Sequence, residues 1–131
     1  MVTATMGLDL YKTELVATGH TLIADEPEES GGGDLGPSPG QFLKLSLASC
    51  TAITLRMYAH RKNITLKKIR VEVSAERTDE KTVFQRRIYF EGLMDETQRD
   101  KLLAIANACP VHKTLTHPIE IETLLMPDAF E

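Results

Sequence analysis

The residues from Gln41 to about His60 are helix-compatible without a break and apolar almost all the way round. A helix of that length runs roughly 30 Å, at about 1.5 Å per residue. Its start is marked by Gly36-Pro37-Ser38-Pro39-Gly40. Ser38 is a candidate N-cap, and Pro39 sits at the first helical position, where a missing N–H removes no hydrogen bond. Leu43, Ser46, Leu47, Cys50, Ile53, Thr54 and Met57 recur at spacings of three and four as one stripe, while Phe42, Leu45, Leu55 and Tyr58 add apolar residues elsewhere. A helix apolar on most sides must be enclosed by protein. A chain of 131 residues is long enough for a real core but short of material to surround such a helix. A partner subunit is therefore expected to cover part of it.

The remaining segments fit around this helix. Residues 8–17 roughly alternate polar and apolar, and 19–24 resume the alternation after a glycine. That pattern predicts two or three short antiparallel strands with one wet face. Residues 25–34 form an acidic, glycine-rich run with no lysine in phosphate-loop register, so a solvated linker is expected there. Beyond the helix, 66–76 alternates with Ile69, Val71 and Val73 on one side. Thr78-Asp79-Glu80-Lys81 then turns the chain, and 83–91 returns as the second arm of a hairpin. Asp95, with Gln98 three residues on, opens a second helix bearing Leu102, Leu103, Ile105 and Ala106. Cys109-Pro110 ends it, residues 110–115 suit a further turn, and 118–126 reads as a closing strand. The order, without repeated βαβ units, predicts a single α+β domain over 1–131 with largely antiparallel sheet.

Charge and composition exclude several functions. A net charge of -4 and a pI near 5.6 argue against a nucleic-acid surface, and no nucleic-acid partner is expected. The basic clusters His60-Arg61-Lys62 and Lys67-Lys68 look like solvated ends of elements. No apolar run approaches the roughly 18 residues that span a bilayer, and the first residues carry no secretory pattern. The expectation is a cytoplasmic protein with no membrane partner and no cofactor.

Two cysteines separated by 59 positions are too few for a disulfide framework. They are two core thiols, a redox pair, or metal ligands. The metal reading rests on Cys109-x-x-His112, with Cys50, His20, His60 or His117 to complete a set, and one such pair is half a site. The thiol-pair reading rests on position, since Cys50 lies mid-helix on a buried stripe and Cys109 immediately precedes a proline-opened turn. Residues alone leave the three open.

The stretch from Gly36-Pro37-Ser38-Pro39 through Leu47-Ala48-Ser49-Cys50-Thr51 to Thr54-Leu55-Arg56-Met57-Tyr58-Ala59 resembles the central helix of the OsmC/Ohr family. The stretch from Asp95-Glu96-Thr97-Gln98-Arg99 to Cys109-Pro110-Val111-His112-Lys113-Thr114-Leu115 is similar to that family's second cysteine motif. The order of elements agrees over nearly the whole chain, and the nearest branch is the one with GPSP and CPVHKTL. The resemblance implies antiparallel sheets packed on a long central helix and an intertwined homodimer with active sites at the subunit interface. It also implies thiol peroxidase chemistry. Cys50 would attack a small organic hydroperoxide and become a sulfenic acid, and Cys109 would resolve it into a disulfide. A dithiol, in the family a lipoylated protein, would reduce that disulfide.

The sequence departs from the family pattern beside Cys50. Peroxidatic members supply an arginine from the N-terminal strands, oriented by a glutamate near the start of the central helix. Here no arginine precedes Arg56, those strands offer only Lys12 and His20, and the glutamate position is Gly40, with Gln41 beside it. Arg56, six residues past Cys50, points roughly 120° away around the helix. Arg86, Arg87, His112 and Lys113 are the candidate replacements. The alternatives to a peroxidase are a noncatalytic dimer holding a small hydrophobic ligand, and a thiol redox sensor or reductase.

Overall fold

The structure, a computed structural model, describes residues 1–127. The long helix α1 spans Pro39–Arg61 and begins where the proline–serine motif places it. Ser38 Oγ accepts from the Gln41 N–H at 3.3 Å, and the Gln41 side chain accepts from the Ser38 N–H at 2.9 Å. This reciprocal cap satisfies two N–H groups that no helical carbonyl can reach. Gly36, just upstream, lies so close to the Ile23 carbonyl that any side chain would collide with it.

Three short strands precede the helix: β1 (Val2–Met6), β2 (Thr13–Ala17) and β3 (His20–Ala24), paired antiparallel in that order. The linker expected at 25–34 is not a free solvated loop. Asp25 is buried, and its carboxylate accepts from the backbone N–H groups of Tyr11, Glu26 and Leu35 at 2.8–3.2 Å. A buried carboxylate can stay ionised when several N–H groups converge on it. Burial works to raise the Asp25 pKa, but these donors outweigh it and hold it below the ordinary range. The same residue donates its own N–H to the Pro37 carbonyl at 3.1 Å, tying the first sheet to the start of α1.

After α1 come β4 (Thr65–Arg77) and β5 (Thr82–Leu93), a long antiparallel hairpin with a register irregularity between Leu66 and Lys68. Then follow α2 (Glu96–Ala106), capped by Asp95 and Gln98 as expected, and the short α3 (Pro110–Leu115). The architecture is α+β with antiparallel sheets and one long helix. Leu55, Leu102 and Ala106 are completely buried, and Tyr58, Ile69, Ile88, Phe90, Met94 and Ile105 pack around them.

Two expectations need correcting. The buried face of α1 is Leu47, Thr51, Leu55 and Ala59, a strict four-residue spacing. On the stripe expected to be covered, Ile53 is 54% and Met57 61% exposed, so the hairpin and α2 enclose a different side of an all-round apolar helix. Residues 118–126 form no strand. A strand needs a ladder partner, and among the described residues none lies against the segment, which leaves Ile121 85% exposed. Among the described residues no helix is long and apolar enough to cross a membrane.

Candidate thiol site

Cys50 and Cys109 come together where the middle of α1 meets the corner between α2 and α3. Ala106, completely buried at the end of α2, lets that helix approach α1 closely. Asn107 and Ala108 turn the chain, and Cys109 becomes the N-cap of α3 with Pro110 at its first position. Proline there fixes the turn without removing a needed donor. Cys109 is 0% exposed and Cys50 half-buried, and both are free thiols.

The surroundings of the two sulfurs differ. Around Cys50, burial dominates and pushes the thiol up; the Val111 N–H and Thr54 hydroxyl oppose this, while the adjacent Cys109 sulfur reinforces it. Around Cys109, burial also works against ionisation, but four donors overcome it and hold the pKa below the ordinary thiol value: the Cys50 thiol, the His112 N–H, the Thr51 hydroxyl and the Val111 N–H. The His112 N–H lies 3.4 Å and Thr51 Oγ1 3.9 Å from Cys109 Sγ. Donors that converge on a sulfur favour its thiolate.

Behind Thr51 stands Arg86, from β5. Its Nη1 donates to Thr51 Oγ1 at 3.1 Å and to the Ala106 carbonyl at 3.3 Å. Its Nη2 donates to Asn107 Oδ1 at 2.9 Å and faces His112 Nδ1 at 3.0 Å. A guanidinium has donors only, so His112 Nδ1 is the acceptor and Nε2 carries the proton of the neutral ring. Burial, and then the Arg86 charge, hold the His112 pKa below its usual value. His112 is thus committed to Arg86, and among the described residues no three His, Cys, Asp or Glu side chains cluster as metal ligands would.

Of the four candidate replacements for the missing cation, only Arg86 and His112 face the site. Arg87 and Lys113 are exposed. The strand period explains why, since Arg86 shares the inward side of β5 with Phe84, Ile88 and Phe90, and Arg87 falls on the wet side. Thr51 escaped the sequence reading. A polar residue four positions from Leu47 and four from Leu55 on an apolar helix was the available signal. Arg56 instead donates to the Leu66 carbonyl, away from the thiols. A cavity of about 760 Å³ opens beside Arg86 and His112, with Leu43, Leu47, Phe84, Ile88 and Leu115 among its walls.

A family model described as OsmC-like protein matches residues 31–124. A search of curated proteins finds no match. Solved structures share the fold. One is from Psychrobacter arcticus, provisionally described as an osmotic stress induced and detoxification response protein; it has a TM-score of 0.74 at 24% identity, covering 89% of this chain and 88% of that one. An OsmC-like protein from Mycoplasma pneumoniae gives 0.74 at 22%, covering 88% and 85%. The organic hydroperoxide resistance protein OhrB of Bacillus subtilis gives 0.62 at 20%, covering 88% and 89%.

Proposed function

The chain belongs to the OsmC-like protein family, and from that premise we propose that it is a thiol-dependent peroxidase that reduces organic hydroperoxides with Cys50 and Cys109. The observation that carries this reading is the meeting of two sulfurs, remote along the chain, in one site where each affects the other's ionisation. Two thiols supply the two electrons that a hydroperoxide requires. Cys50 is the more accessible sulfur, which suits it to meet the peroxide and become the sulfenic acid. Cys109, buried beside it, then displaces hydroxide to form the disulfide. An organic substrate is favoured by the apolar walls of the neighbouring cavity, one of which is Leu47, a turn before Cys50. The name of the Bacillus subtilis relative, organic hydroperoxide resistance protein, points the same way.

The functional unit in this reading is a homodimer. Leu43, Leu45, Ile53 and Met57 on α1, together with Ile119, Ile121, Leu124 and Leu125, leave much apolar surface for a second copy to cover. A dithiol, free or as a lipoyl group on a protein, regenerates the thiols by exchange with the disulfide.

The test is turnover with cumene or tert-butyl hydroperoxide against hydrogen peroxide, using dihydrolipoamide as reductant. Cys50→Ser should abolish turnover. Cys109→Ser should stop after one reaction, slower than the first step of wild type, leaving a sulfenic acid that dimedone traps on Cys50. Turnover that survives in Cys50→Ser would exclude this chemistry.

A further inference from the structure

Among the described residues Arg86 has no carboxylate partner. The one ion pair among them is Arg70 with Glu72, and every acceptor around Arg86 is neutral: the Thr51 hydroxyl, the Ala106 carbonyl, the Asn107 amide and the His112 ring. A half-buried guanidinium with only neutral partners keeps its field, and one hydroxyl, that of Thr51, stands between it and the thiol pair. The two-step path through Thr51 Oγ1 puts Nη1 within about 7 Å of Cys109 Sγ. Thr51 has a single hydroxyl proton, which in one orientation is given to the Leu47 carbonyl at 2.7 Å. Turned toward Cys109, the same proton would be donated to the sulfur while Arg86 still donates to the oxygen.

We propose that in the reduced protein the negative charge of the thiol pair rests on Cys109, the buried cysteine, that Arg86 acts through the Thr51 hydroxyl as the positioning residue for that charge, and that Cys109 is the base that activates Cys50. This rests on the peroxidase reading for its chemistry but not for its test. The proton moves from Cys50 Sγ to Cys109 Sγ, leaving a thiolate on the accessible cysteine. That thiolate attacks the terminal oxygen of ROOH; the S–O bond forms, the O–O bond breaks, and the departing alkoxide takes the proton back from Cys109 to give ROH. Cys109, again a thiolate, attacks the sulfur of the Cys50 sulfenic acid. The S–S bond forms, and hydroxide leaves to be protonated by solvent. The two sulfurs lose two electrons and the peroxide gains them.

The titratable groups facing Cys109 are Cys50 from α1, Arg86 from β5 through Thr51, and His112 from α3, whose pKa burial and then the Arg86 charge hold below its usual value. The charged residues of α2 lie in its first two turns, and Lys113 on α3 is exposed. Arg86 also closes the carboxyl end of α2 through Ala106 and Asn107, so a purely structural role must be separated from an electrostatic one.

Thiolate absorbance at 240 nm, titrated on reduced full-length protein, separates them without any peroxide. In Cys50→Ser, Cys109 should titrate below the ordinary cysteine value, and in Cys109→Ser, Cys50 should titrate above it. Adding Arg86→Gln to Cys50→Ser should raise the Cys109 value by about one unit, a roughly tenfold loss of thiolate at neutral pH. Arg86→Lys should restore most of it. Thr51→Val, which keeps the Arg86 contacts to Asn107 and His112, should shift the value in the same direction and serves if Arg86→Gln does not fold. The proposal is overturned if Cys109 titrates at or above the ordinary value in Cys50→Ser, or if neither Arg86→Gln nor Thr51→Val moves it in a folded protein. Absent peroxide turnover with these shifts intact would count against the peroxidase reading alone.

Discussion

Arg86 on β5 donates a 3.1 Å hydrogen bond to Thr51 on α1, joining the hairpin to the helix at the one turn where Thr51 also approaches Cys109. The contact places a cation behind the buried thiol rather than beside the accessible one. It also distinguishes this chain from the pattern that its motifs resemble, in which the cation comes from the N-terminal strands. Here those strands form a separate sheet tied to the body through Asp25.

The two thiols should leave opposite marks on stability against pH. Cys109, held below its unfolded value, stabilises the fold above the unfolded thiol pKa, about 8.5, and that contribution is lost as pH falls through the native value. Cys50, held above it, favours the fold below the unfolded pKa, and that contribution is lost as pH rises through the native value. Urea unfolding of reduced protein across pH 6–10, read as differences between variants, should show the first change missing in Cys109→Ser and the second in Cys50→Ser.

The core prediction concerns Leu102, completely buried against Leu55 and Ala106. Leu102→Ala should destabilise the protein by about 3 kcal/mol, from lost apolar burial and the cavity left behind. Because α2 carries the corner that holds Cys109, the same variant should expose Cys109 to alkylating reagents faster than wild type.

At the start of α1, Ser38→Ala removes the acceptor for the Gln41 N–H and should cost about 1 kcal/mol in denaturant unfolding. The cap lies about three turns from Cys50, so thiol reactivity should be unchanged.

A homodimer that covers the outer face of α1 should be sensitive to charge there. Ile53→Asp and Met57→Asp, both on exposed apolar positions, should convert dimer to monomer in sedimentation equilibrium while the monomer keeps its helical signal. A wild-type protein that sediments as a monomer at micromolar concentration would remove the homodimer from this account.

What the sequence revealed follows the range of the forces involved. The caps at Ser38 and Asp95, the proline before α3 and the hairpin arms are local signals, set by hydrogen bonds within a few residues, and they were legible. The face of α1 that is buried was not, because an all-round apolar helix carries no moment to read, and Leu55 rather than Ile53 meets α2. Residues 118–126 have the strand pattern but no ladder among the described residues, which propensity alone does not reveal. At the site, both cysteines and Arg86 stood among the candidates. The hydroxyl between them did not, since a helical threonine facing inward looks like any satisfied residue until its neighbours are known.

The most direct measurement is intact mass and free-thiol count of reduced protein after one equivalent of cumene hydroperoxide. Both thiols and two mass units per chain should be lost within seconds, with no intramolecular disulfide in either Cys50→Ser or Cys109→Ser. Two thiols still free after prolonged exposure to excess hydroperoxide would contradict it.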